Sequence, residues 1–326
     1  MSNVVLSLVT FNGVPHLPHC LESIEQQTFL NTELVVLDNN SSDDSVSCVR
    51  THAPQARIIS ETKNSGFAQG HNQIISQTSS DYVVILNQDA YLEEGYIAAC
   101  ISLLEKNKEA GSVTGVILQT TNLQTREKDG VIDTSGMVFR WNYFFEERMR
   151  GEPRSKVPEE REIFGVSAAV AVYRRSALED CALTIDGKKE YFDNDFFMYK
   201  EDVDLALRMR LRGWQSFVTP DAVAYHVRSG KKETGRTNQF INLNSYRNTI
   251  ALMVKNMSAP LLFRIFPAFF LFESAKFFYC LLFERSTLRA LKEFWALRHV
   301  FMAKRRSILS ARKVSDATMM SALHLS

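Results

Sequence analysis

The sequence has few cysteines, almost no net charge, and neither repeats nor low-complexity segments. Cys20, Cys48, Cys100, Cys181 and Cys280 are scattered with no close pair. That excludes a zinc ribbon or a disulfide framework and makes a reducing, intracellular location the default. The N-terminal run MSNVVLSLVTFNG has no basic stretch followed by a long apolar core, so no secretory signal is expected. With 45% hydrophobic and 23% charged residues, the chain is neither disordered nor fibrous. In the most apolar segment the longest uncharged runs are 265–272 and 277–283. Both fall far short of the ~20 residues that span a bilayer. Pro260 and Pro267 are expected to interrupt helix there.

The formal charge of +1 hides an asymmetry. Residues 255–326 carry 12 Lys and Arg against 4 Asp and Glu, a net +8, which leaves −7 on residues 1–254. An acidic body with a basic tail suggests an anionic surface as the tail's partner. The 326 residues suffice for one α/β domain with an appendage.

Short apolar runs alternate with helical ones through the first 90 residues. VVLSLVTFN, TELVVLD, ARIIS and DYVVILN read as strands, with HLPHCLESIEQQ and FAQGHNQIISQT as helices between them. Such alternation implies a parallel sheet with right-handed crossovers, whose ligands sit beyond the carboxyl ends of the strands. The polar clusters Thr10–Asn12, Asp38–Asp44 and Asn87–Asp89 all fall at strand ends, and that convergence makes a site. Residues 120–165 are irregular. Further on, a helix starts near Glu201 and stops at Gly213, SFVTPDAVAYHV is a final strand, and from 246 the pattern is helical.

The blocks SLVTFN (7–12), VVLDNNSSDDS (35–45), NSGFAQGHN (64–72), ILNQDAYLEEGY (85–96), IDTSGM (132–137), IFGVSAAVAVYRRSAL (163–178), YFDNDFFMYKEDVDLALRMRLRGW (191–214) and PDAVAYH (220–226) occur in this order. Together they resemble the family 2 inverting glycosyltransferases, most closely the bacterial rhamnosyltransferase-like branch. Each block alone is weak; the ordered set is specific. The resemblance implies a GT-A catalytic domain over 1–245, with a mostly parallel central sheet, and a helical appendage over 246–326.

It also implies roles. Asp38 would accept the imide N–H of a uracil or thymine base, a readout suited to a carboxylate. Asp43 and Asp44 read as turn or helix-cap residues. Thr10, Asn12, Asn64, Gly66, Asn72 and Asn87 would contact the nucleotide-sugar, although Asn72 could equally orient its loop. Asp89, in an Asn87-Gln88-Asp89 version of the family's acidic motif, would bind Mg2+ or Mn2+ through one carboxylate. His226 is a second metal ligand or a structural histidine, since imidazole suits Mn2+. Arg228, Lys231 and Lys232 would close on the diphosphate or form a solvated charge run. Asp202 would take the proton from the acceptor hydroxyl, with Glu201 as the alternative base. Asp204 and Arg208, spaced i,i+4, read as a structural pair.

The expected donor is a dTDP- or UDP-sugar, foremost dTDP-rhamnose, and the acceptor a glycan or lipid-linked sugar. An inactive sugar-nucleotide-binding scaffold is the competing class. The aromatic, basic tail reads as an interfacial helix that holds the protein peripherally on the cytoplasmic face of a bacterial plasma membrane. The alternative is packing on the catalytic domain or in a homodimer. Nucleic acid is not an expected partner.

Overall fold

The computed structural model describes residues 2–124, 130–140, 142–156, 159–185, 187–227 and 236–325. The first four strands pair in parallel: β1 (Val4–Thr10), β2 (Thr32–Asp38), β3 (Arg57–Ser60) and β4 (Tyr82–Asn87). Runs of Val, Ile and Leu buried on both faces make β1, β2 and β4 interior, while the half-buried β3 forms the sheet edge. Helices α1 (Leu17–Glu25), α2 (Ser45–His52) and α3 (Gly66–Ser76) connect them. The acidic turn before α2 is built as a turn: Asp43 accepts from the N–H groups of Ser45 and Val14, at 3.1 and 3.2 Å.

The second half begins with β5 (Ala90–Leu92), α4 (Tyr96–Lys106), β6 (Ala110–Thr120) and β7 (Ile132–Thr134). A hairpin of β8 (Met137–Phe139) and β9 (Phe145–Glu147) follows, then β10 (Arg161–Ile163), β11 (Val170–Arg174) and α5 (Arg175–Cys181). A second hairpin, β12 (Leu183–Ile185) and β13 (Lys188–Glu190), precedes α6 (Glu201–Arg212) and β14 (Gln215–Val227). The main sheet runs β10-β14-β6-β11-β4-β1-β2-β3. The central sheet is mostly parallel; β11 enters it antiparallel to both β4 and β6. Pro220 has no N–H to donate, and the β14–β6 register shifts between Val218 and Val223 around it. One apolar core lies on each face: Leu6, Leu8, Val84 and Leu86 pack with Ile97 of α4, while Val5, Val35 and Ile85 pack with Ile74 and Leu205.

Four helices end the chain: α7 (Arg236–Asn256), α8 (Ala259–Phe283), α9 (Arg289–Ser310) and α10 (Asp316–Ala322). The expected boundary at 245/246 falls inside α7. A third core joins Phe196, Val203 and Leu207 to Leu252, Leu261 and Phe301, so the helices pack on the α/β body. Two buried lysines reinforce this. Lys255 pairs with Asp193 and Asp204, and Lys304 with Asp193, Glu190 and Asp195.

Helix α8 corrects the expectation of a proline-broken segment. Pro260 occupies its first turn, where a missing N–H costs nothing, and the helix continues through Pro267. It is the one helix among the described residues long and apolar enough to cross a membrane by length and composition. Glu273 and Lys276 in its middle and Glu284 at its end nevertheless face the protein. Glu273 accepts from the Tyr143 hydroxyl, Lys276 lies 4.1 Å from the centre of the Tyr246 ring, and Glu284 accepts from Asn242 at 3.1 Å. The aromatic side faces out, with Phe263 85%, Phe278 60% and Phe283 72% exposed.

Candidate active site

The parallel register sets Thr10 beside Asp38, and Val9 beside Asn87. The strand ends are laced together. The Thr10 hydroxyl and the Phe11 N–H both donate to Gln88 Oε1, at 2.6 and 2.9 Å. Asn12, at φ 50°, accepts from the Ser42 N–H at 2.8 Å. Both residues thus shape the strand-end turns, though the sequence suggested ligand contact. Asp38 differs. It is buried, one oxygen accepts from the Ser41 N–H at 3.2 Å, and Oδ1 has no protein partner. A buried carboxylate oxygen left unpaired is costly.

The NSGFAQGHN block is tied into the rest of the chain. Asn64 Oδ1 accepts from the Gly66 N–H at 2.9 Å. Gly66 has φ +85°, and a Cβ there would lie 2.6 Å from the Phe197 carbonyl oxygen. That carbonyl caps α3 by accepting from the Phe67 N–H at 2.8 Å. Gly66 therefore admits another segment of the chain, where a ligand was expected. The Asn72 amide is likewise spent. It donates to the Phe192 carbonyl at 2.6 Å and to Asn194 at 2.9 Å, and accepts from the N–H groups of Tyr191 and Phe192 at 3.0 and 2.9 Å. Of its two expected readings, the loop-orienting one matches the geometry. Arg228, Lys231 and Lys232 lie outside the described residues.

Asn87, Asp89, Glu201, Asp202 and His226 line one cleft of about 1090 Å³. Pairing of β5 with β14 sets Ala90 opposite His226 and so delivers Asp89 to it. His226 Nε2 is 3.3 Å from Asp89, and its Nδ1 is 2.9 Å from the fully buried Asp133. Burial alone would lower the His226 pKa, but its bonds to Asp133 and Asp89 outweigh this and push it up to about 9. Burial opposes the charge on Asp89, yet His226 holds its pKa below the usual carboxylate range.

This donor set fits a divalent cation. Asp133 fixes the ring through Nδ1, so the Nε2 lone pair, once deprotonated, joins an Asp89 oxygen on the cleft wall. No group of three or more His, Cys, Asp or Glu among the described residues could hold a metal alone. A ligand's diphosphate and water would have to complete the shell. Asp133 was missed from sequence; it sits in the IDTSGM block, where a lone Asp among Ser and Thr reads as a turn.

Across the cleft, α6 begins with Glu201 and Asp202. Asp202 accepts from the N–H groups of Ala168 and Val203, at 3.3 and 2.8 Å. Burial raises its pKa, partly offset by Lys200 and these N–H groups. Burial and the neighbouring Asp202 push Glu201 up to about 8, and its Oε2 is buried without a protein partner. Both carboxyls are thus raised, with the larger shift on Glu201. Asp204 and Arg208 form the expected structural pair at 2.9 Å, fully inside.

Comparison with known proteins places the family and the fold. The family model for Glycosyl transferase family 2 matches residues 7–182. The N-acetylglucosaminyl-diphospho-decaprenol L-rhamnosyltransferase of Mycobacterium tuberculosis is 25% identical over 251 residues, covering 70% of this chain and 76% of that protein. Among solved structures, residues 1–349 of S. aureus TarS superimpose with a TM-score of 0.57 at 16% identity, covering 99% of this chain and 89% of that one. GalNAc-T7 with UDP, GalNAc and Mn2+ gives a TM-score of 0.60 at 11% identity, covering 78% of this chain but only 48% of that longer one. The chain belongs to glycosyltransferase family 2, of the rhamnosyltransferase-like kind, and has the GT-A fold.

Proposed function

We propose that the protein is an inverting glycosyltransferase that moves L-rhamnose from dTDP-rhamnose to a polyprenyl-diphosphate-linked sugar or a related glycan. The observation that carries this reading is the meeting of the Asp89–His226 pair and the Asp202 carboxylate in one cleft. The relative from M. tuberculosis supports the donor sugar and the lipid-linked acceptor by its name.

The unpaired Asp38 Oδ1 suits the imide N–H of thymine or uracil and does not separate them. A UDP-hexose or UDP-hexosamine donor is therefore the second reading, favoured by the UDP complex of TarS, which aligns at a TM-score of 0.57. Asp89 and His226 would hold a Mg2+ or Mn2+, which neutralises charge on a leaving diphosphate. Asp202 accepts the proton of the acceptor hydroxyl. The hydroxyl oxygen bonds to the anomeric carbon, and the sugar–diphosphate bond breaks with its electron pair on the diphosphate oxygen. Attack opposite the leaving group inverts the anomeric centre. Intact Asp89, Asp202 and His226 weigh against an inactive scaffold.

The exposed aromatic side of α8 supports peripheral docking on a lipid surface. Its inward polar face argues against crossing, because Glu273 and Lys276 are bound to the body mid-helix. Arg264 on α8, Arg285 in the turn after it, and Arg289 and Lys292 at the start of α9 are exposed, which favours anionic lipid.

The reading is tested by turnover of dTDP- and UDP-sugars with and without Mn2+, alongside Asp202→Asn and Asp89→Ala. Transfer should require a divalent ion. Asp202→Asn should cut transfer to a small residual rate while keeping donor affinity within a few-fold, and Asp89→Ala should lose donor and metal together. Full activity in excess chelator, or in Asp202→Asn, would defeat the mechanism.

A further inference from the structure

The cleft base rests on an unusual piece of backbone. Phe197, Tyr199 and Lys200 have φ of 60°, 68° and 73°, in the left-handed region that side chains other than glycine seldom occupy. Lys200 ends that segment and is the residue from which α6 starts, so its path sets where Asp202 points. Such a conformation persists only when its surroundings over-determine it.

Those surroundings belong mostly to α7. The fully buried Asn248 directs its amide nitrogen at three carbonyl oxygens: Phe196 at 2.9 Å, Met198 at 3.0 Å and Tyr199 at 2.8 Å. Arg247 fixes that amide by donating to Asn248 Oδ1 at 3.0 Å, and also donates to the carbonyls of Asp195 and Phe196, at 3.0 and 3.3 Å. On the opposite side the segment is closed by the Phe67 N–H on the Phe197 carbonyl. Neither Asn248 nor Arg247 lines the cleft.

We infer that Asn248, oriented by Arg247, is a positioning residue for the base: it holds the 196–200 backbone in the one path that aims Asp202 at the acceptor hydroxyl. This rests on the reading of Asp202 as the base. The metal-side pair Asp89 and His226 is brought together by β5 and β14, whereas the clamp comes from α7, so the two halves of the reaction should separate in a variant.

The experiment compares Asn248→Ala, Asp202→Asn and the double variant, measuring kcat, the Kd of the nucleoside diphosphate with Mn2+, and the folded state by circular dichroism. Asn248→Ala should lower kcat 10- to 100-fold with the Kd unchanged within threefold. In the Asp202→Asn background it should cost nothing more, because both act through one group. If Asn248→Ala does not fold, Arg247→Lys gives the same comparison. It keeps the charge but loses the reach to two carbonyls. Losses that multiply in the double variant, an unchanged kcat, or a matching loss of diphosphate affinity would overturn the inference. Full activity of Asp202→Asn alone would instead remove the base reading on which it rests.

Discussion

The buried carboxylate of Asp133 lies 2.9 Å from Nδ1 of His226, so the imidazole is held between Asp133 and Asp89. The contact fixes the ring and selects the tautomer whose Nε2 can face a cation. Asp133→Asn can turn an amide N–H towards Nδ1, which moves the ring proton to Nε2, the wrong nitrogen. Mn2+ affinity measured calorimetrically with dTDP or UDP present should fall by roughly 10- to 100-fold. An unchanged affinity would reduce Asp133 to packing.

Glu201 gives a pH-dependent stability prediction. Its carboxyl is pushed up to about 8 by burial and by Asp202, so the folded state favours the protonated form. The stability is intact below the ordinary glutamate pKa of about 4.3 and is lost as pH rises towards 8. Glu201→Gln removes that loss. Its melting temperature should match the parent near pH 5 and exceed it near pH 8. A difference independent of pH would contradict the assignment of the proton to Glu201.

Lys304 predicts that the C-terminal helices are not a detachable tail. It neutralises Glu190, Asp193 and Asp195 where there is little water. Lys304→Met leaves those carboxylates crowded and should cost roughly 3–5 kcal/mol in denaturant unfolding. A chain ended near Lys255 loses Lys304 and the core residue Phe301 together, and should fail to give a cooperative transition. A stable, cooperatively folding truncation would restore the independent domain expected from the sequence.

The outward face of α8 can be tested on vesicles. Co-sedimentation with anionic vesicles should be strong at low salt, weaken as salt rises, and be weaker on neutral vesicles. Phe278→Glu with Phe283→Glu should abolish it without lowering stability, because both rings are exposed. No binding to anionic vesicles, with a dimer that the same pair of substitutions dissociates, would assign the face to a second copy.

Much of the site's address was legible because it is local. Val, Ile and Leu runs define parallel strands, and parallel strands deliver Asp38, Asn87 and Asp89 to one edge whatever the rest does. Glu201 and Asp202 were legible as acids opening a helix. The partners of Asn72 were not, since its amide is used by Phe192 and Asn194, 120 and 122 residues away.

The sequence by itself determined the family, the order of the first four strands, and which strand ends and helix start carry the acids. Periodicity and motif order are properties of short stretches, and these survive without knowledge of the partners. Only the tertiary structure decided that Asp133 backs His226 across 93 residues, that Asn248 braces the turn before Asp202, and that Lys255 and Lys304 lock the last helices to the body. Each of these is a buried polar group whose burial is tolerable only with its partner in place. The partner in each case comes from a distant part of the chain, so no local pattern could reveal it.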